Sequence, residues 1–149
     1  VLNINSFSMT NTMQLESGSQ QNDHLLNVKS VYLNLKGKLD LQKFKVCIGE
    51  LLWNSKGRLQ HSEQDSKMDS NNALYFRGKG VLSIHGSGRK MIFQSVHELF
   101  DIEVSTADDG AWKPHETRES KLIFIGLNLR KALLLKRIRK CMVTVSADI

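Results

Sequence analysis

From position 28 the chain alternates. Val31, Leu33 and Leu35 are separated by Tyr32 and Asn34, the period-two pattern of a strand with one apolar face. Gly37 ends this run. Asp40 is placed to cap a helix, its carboxylate accepting a free backbone N–H of the first turn. Leu41, Phe44, Ile48, Leu51 and Leu52 then recur at spacings of three and four. They form one stripe for a core, with Lys43, Lys45 and Glu50 outside it, and the helix is expected to end near Trp53. Residues 54–72 are polar and too long for a simple turn, and read as a solvated insertion.

A second strand is expected over 74–84, where Gly78 and Gly80 suggest a bulge or a close backbone approach. HGSG at 85–88 is a turn. Residues 90–102 carry Met91, Ile92, Phe93, Val96, Leu99, Phe100 and Ile102. They are expected to form one strand, paired antiparallel with 74–84 through that turn. Residues 103–119 are polar and hold the sole proline, Pro114. KLIFIGL at 121–127 is a short apolar run, expected as a central strand. Asn128 can cap a last helix from 129 to about 142, with Leu134, Ile138, Cys141 and Met142 as its buried stripe. The expected fold class is α+β, a mainly antiparallel sheet with two helices packed on one face in the order β-α-β-β-β-α.

Before this pattern, fourteen of residues 1–27 are Asn, Ser, Gln or Thr and the apolar positions keep no period. Such a segment buries too little apolar area to offset its ordering entropy. Residues 1–23 are therefore expected to be a flexible linker, and 24–149 a domain.

Composition adds limits. Of 149 residues, 40% are hydrophobic and 24% charged, as in an ordinary globular domain long enough to bury a core. No apolar run is long enough to span a membrane, and no basic and apolar leader pattern is present. A chain that starts at Val1 is expected to be a fragment or a processed product. Two cysteines, Cys47 and Cys141, make no disulfide framework. They fit a reducing compartment, and the cytoplasm is the expected one.

The net charge is +6, but it is localised. Residues 128–149 hold six basic groups (Arg130, Lys131, Lys136, Arg137, Arg139 and Lys140) against Asp148. The rest is nearly neutral, so the broad basic surface of a nucleic-acid binder is missing. The six lie off the helix stripe. They read as a solvated face with cations toward a helix C-terminus, or as an anion-binding surface for acidic lipid or RNA.

Catalytic signatures are few. No G-x-x-x-x-G-K-[ST] cradle for phosphates is present, nor a G-x-S-x-G elbow. Of His24, His61, His85, His97 and His115, none pairs at i, i+4, and there is no C-x-x-C. His97 and His85 are the only metal-ligand candidates, and a satisfied structural histidine is the better reading of His97. Neither catalytic nor cofactor-binding residues are assigned.

Five blocks occur in an ordered set: GELLW at 49–53, RGKGVLSIHGS at 77–87, FQSVHELFDI at 93–102, Trp112 with Lys113, and RESKLIFIGLNL at 118–129. In that order they resemble the C-terminal domain of CobW-type metallochaperone GTPases, in particular the eukaryotic zinc-handling branch, over residues 24–142. Leu127, Ser95 and Arg130 depart from the family's usual Arg, Gly and acidic residue. The resemblance implies an accessory domain of a protein that uses GTP, with magnesium, to hand zinc to client metalloproteins. It implies an N-terminal GTPase domain as partner, carrying the P-loop and a Cys-x-Cys-Cys site that this chain lacks. Nucleic acid is not an expected partner, and a stand-alone anion-binding module is the alternative.

Overall fold

The computed structural model describes residues 28–57 and 73–144, and the order of elements follows from the periodicities above. β1 (Val28–Lys36) leads to α1 (Leu41–Gly57), then β2 (Leu74–Leu82), β3 (Met91–Val96), β4 (Leu99–Val104), β5 (Glu119–Leu127) and α2 (Lys131–Arg139). The five strands form one antiparallel sheet in the order β1-β5-β2-β3-β4. The apolar run at 121–127 is therefore a central strand, flanked by β1 and β2. The linker assigned to 1–23 and most of the polar loop lie outside the described residues.

Alternation decides what each face carries. Val31, Leu33 and Leu35 of β1 are buried and stand opposite Phe124, Leu122 and Ser120 of β5. Phe93 of β3 continues the same face. The α1 stripe packs there, with Phe44 meeting Phe93 edge-on at 5.6 Å and Phe93 touching Phe124 at 5.8 Å. Phe44, Ile48, Phe93 and Phe124 have no exposed surface, and such ring pairs favour edge contacts. Leu134, Ile138 and Cys141 bring α2 onto this core. Both helices thus cover one face.

Asp40 caps α1 as its position predicts: its carboxylate accepts the Lys43 N–H at 2.9 Å. The helix runs one turn past Trp53. Leu39, wholly buried, ties the ends of three elements. Its N–H donates to the Ser83 carbonyl, its own carbonyl accepts from His85, and it bridges Met142.

Two expectations are corrected. The single strand over 90–102 is two, because the chain reverses at His97 and Glu98. His97 takes φ 52°, a left-handed conformation in which His is over-represented among non-glycines. The order is thus β-α-β-β-β-β-α, within the expected α+β class. Asn128 does not cap α2. It is itself left-handed at φ 55°, and the cap position falls to Arg130, whose side chain makes no capping bond. Of the two readings for Gly78 and Gly80, close approach holds: a Cβ on Gly80 would stand 2.5 Å from the Lys121 carbonyl oxygen, while the register shift in β2 lies between Tyr75 and Arg77. No described helix is long and apolar enough to cross a membrane.

Candidate functional site

Beyond the end of β2 the chain turns through 85–88, with Gly86 at φ 81°. Arg118, just before β5, reaches under this turn. Its Nε donates to Ser83 Oγ at 2.9 Å, and its terminal nitrogen to the Ile84 and Ser87 carbonyls at 2.9 and 3.0 Å. Burial lowers the pKa of its guanidinium while Glu116 opposes this, and it stays charged. The neighbouring Ser120 Oγ accepts the Ser83 N–H at 2.9 Å.

Trp112 lies against this fork, its ring 4.7 Å from the Arg118 guanidinium carbon and 5.0 Å from Lys90 Nζ. Both are within cation–π range. Lys90 also holds Glu116 at 2.9 Å. That bond, followed by the Lys113 N–H at 3.1 Å, lowers the Glu116 pKa. Arg89 spends its guanidinium on the Ser105 and Ala107 carbonyls at 2.8 and 2.6 Å. The polar segment 103–118 is thereby fastened to the β2–β3 turn. The guanidinium groups are committed to main-chain carbonyls, which suits a scaffold rather than a site for a reacting anion.

The two histidines are not brought together. His85 is exposed in the turn after β2, and His97 is exposed at the β3–β4 turn, at the opposite end of the antiparallel pair. A six-residue strand separates the two ends by about 20 Å, so they cannot share one ion. His97 packs beside the Phe76 ring, 6.2 Å between centroids, and its N–H bonds the Phe76 carbonyl. Among the described residues no three His, Cys, Asp or Glu side chains cluster for a metal. Cys47 of α1 and Cys141 after α2 are free thiols, and the Cys141 thiol donates to the Arg137 carbonyl at 3.9 Å. Burial raises both, with Cys141 pushed up to about 12. Such thiols are poor nucleophiles and poor metal ligands as they stand. On α2, Lys131, Lys136, Arg139 and Lys140 face water, while Arg137 meets Glu50 of α1 at 3.4 Å.

The other candidate is the sheet face opposite the two described helices. A concavity of about 360 Å³ opens there. One row across it runs Ile125, Arg77, Val96, Leu99, and the next Ile123, Lys79, Gln94, Asp101. Sequence reasoning missed this face. Its signal was the middle of β5, where Ile123 and Ile125 alternate with Leu122 and Phe124 and both sides are apolar.

Fold and sites together define an α+β domain of one sheet and two helices, with a scaffolded turn at one end of the sheet. Comparison with known proteins refines that class. The model of the cobalamin synthesis protein cobW C-terminal domain matches residues 28–142, and the chain belongs to this family. The crystal structure of Zn(II)-bound YjiA GTPase from E. coli is similar, with a TM-score of 0.59 at 19% identity over 85% of this chain. A Zn(II)-bound triple mutant of YjiA GTPase matches equally. The chain spans only 35% of the length of each. Three of the five motif blocks that carry the resemblance, 77–87, 112–113 and 118–129, meet in the structure. Ser83, Ile84, Ser87, Trp112 and Arg118 are one connected cluster.

Proposed function

We propose that this chain is the accessory, interaction-type C-terminal domain, residues 24–149, of a zinc-transferring GTPase of the eukaryotic CobW branch. GTP and magnesium would be bound by a separate N-terminal GTPase domain, and zinc would be cargo passed to a client metalloprotein in the cytoplasm. The observation that carries this reading is the family match over 28–142 together with motif residues spent on scaffolding. The GTPase names and bound Zn(II) of the two structural neighbours support it.

Calorimetric titration of the chain with GTP and with Zn²⁺ tests it. Neither ligand is expected to bind with sub-micromolar affinity, and sub-micromolar GTP binding would overturn the assignment. An in-frame P-loop and Cys-x-Cys-Cys upstream of Val1 is the expected companion result. His97 and His85 stay the candidate ligands on this chain during transfer. If His97→Ala leaves transfer to the client unchanged, that role for His97 is removed.

The exposed cations of α2 favour a second reading, a module for acidic lipid or RNA. Its binding would weaken steeply with salt through counterion release.

A further inference from the structure

The seam between the two helices holds both cysteines of the chain. Two contacts fix its course. The Asp40 N–H, at the start of α1, donates to the Cys141 carbonyl just beyond α2 at 2.8 Å. Further along α1, Glu50 meets Arg137, one turn before Cys141, at 3.4 Å. A later residue of α1 thus meets an earlier residue of α2, so the two helices pass each other in opposite directions. Cys47 lies between Asp40 and Glu50, on the turn before Glu50. The Cys141 sulfur is turned back along α2 onto the Arg137 carbonyl at 3.9 Å. Both thiols therefore fall in the stretch of seam between the two contacts.

Their surroundings agree with this placement. Cys141 is 3% exposed and belongs to the core, and Cys47 is half-buried against the same core. Each thiol acts on the other's pKa, as groups a few ångströms apart do. Burial disfavours the thiolate of either residue. A disulfide at the same place carries no charge and leaves no S–H donor in an apolar seam, so the burial that penalises the thiolates does not penalise the bond.

We propose that Cys47 and Cys141 are an oxidisable pair, which a small disulfide of the glutathione class converts into a single Cys47–Cys141 bond that clamps the end of α2 to α1. Cys47, the more accessible sulfur, reacts first. Its thiolate attacks one sulfur of the small disulfide, breaking that S–S bond and releasing one small thiol. The Cys141 thiolate then attacks the Cys47 sulfur and displaces the second small thiol. The two protons given up by the cysteines end on the two released thiols. The protein is oxidised by two electrons and the small disulfide is reduced by two. The reaction is slow at neutral pH, where both thiolates are scarce, and quickens as pH rises. The new bond closes a loop that runs through β2 to β5 and α2, and closing it restricts the unfolded chain more than the native one.

The test is the redox equilibrium of the chain in glutathione buffers at pH 8, quenched and read by intact mass and by peptide mapping without reductant. The chain has two cysteines, so an intramolecular bond can only join these residues. The expected product is lighter by two hydrogens and carries no glutathione. Its equilibrium constant for closure is expected to be at least about tenfold larger in native buffer than in concentrated urea, since a bond that stabilises the fold is stabilised by the fold to the same degree. Cys141→Ser is expected to stop at a glutathione adduct on Cys47. A lasting glutathione adduct on the parent chain overturns the proposal, because the second sulfur is then out of reach. So does a disulfide that links two chains. Closure no more favoured in native buffer than in urea also overturns it, and assigns the bond to the unfolded chain.

Discussion

Arg118 and Ser83, thirty-five positions apart, are joined by a 2.9 Å hydrogen bond from Nε to Oγ. The same guanidinium holds two carbonyls of the following turn and lies against Trp112. Hydrogen bonds from a charged donor contribute about 1.5–3 kcal/mol. Arg118→Ala is therefore expected to destabilise the domain by about 2 kcal/mol or more, read as a lower urea midpoint with unchanged slope. Arg118→Lys should recover little, because an ammonium lacks the planar fork.

Ser95 is expected to behave in the opposite sense. It is 4% exposed, and its hydroxyl has no hydrogen-bond partner among the described residues. It faces Gly78, where an added Cβ would stand 2.6 Å from Ser95 Oγ. An unsatisfied buried hydroxyl costs about 1–3 kcal/mol. Ser95→Ala should raise the thermal midpoint, and calorimetry showing a lower one would contradict this account.

Glycines at two positions separate crowding from freedom. A Cβ on Gly126 would collide with the Leu74 carbonyl oxygen across the β5–β2 pairing, whereas one on Gly88 meets nothing within 4 Å. Gly126→Ala is expected to cost several kcal/mol through displaced central strands, on the scale of core overpacking at about 1–3 kcal/mol or beyond. Gly88→Ala should move the denaturation midpoint little.

Alkaline pH should weaken the fold. Burial pushes the Cys141 thiol up to about 12 from an ordinary 9.0, and raises Cys47 and Tyr75 as well. Below pH 9 both folded and unfolded thiols are protonated and contribute no difference. Between 9 and 12 the unfolded chain gives up protons that the native state keeps, so stability falls as pH rises. Urea midpoints measured from pH 8 to 11 should decline, and the decline should be shallower in Cys141→Ala.

Features set by local chemistry were readable in the sequence. The β1 alternation, the α1 stripe and the Asp40 cap depend on neighbours within a turn or two, and each stands where its pattern placed it. The β3–β4 reversal was hidden because His97 and Glu98 interrupt an apolar run without the Gly or Asn that normally marks a two-residue turn. Asn128 had the right residue type for a cap, yet its left-handed backbone moved the helix start beyond it. In the candidate sites, Trp112 and Arg118 were visible as words but not as partners. Contacts that join 83–87 to 112–118 depend on strand order, which no local period encodes. The sheet face opposite the described helices was foreshadowed only by the apolar alternation of residues 122–125 in β5.

That strand order has a consequence for synthesis. β1 and β2 are not paired with each other; β5 lies between them and is the last of the five described strands to be made. Until residues 119–127 have left the ribosome, β1 lacks a mate and β2 shows a raw edge on that flank. A stop codon before this point would release two pairing-hungry strands into solution, the configuration most prone to intermolecular association. The domain closes with its final strand, so a message truncated before codon 119 yields not a slightly smaller domain but no finished sheet.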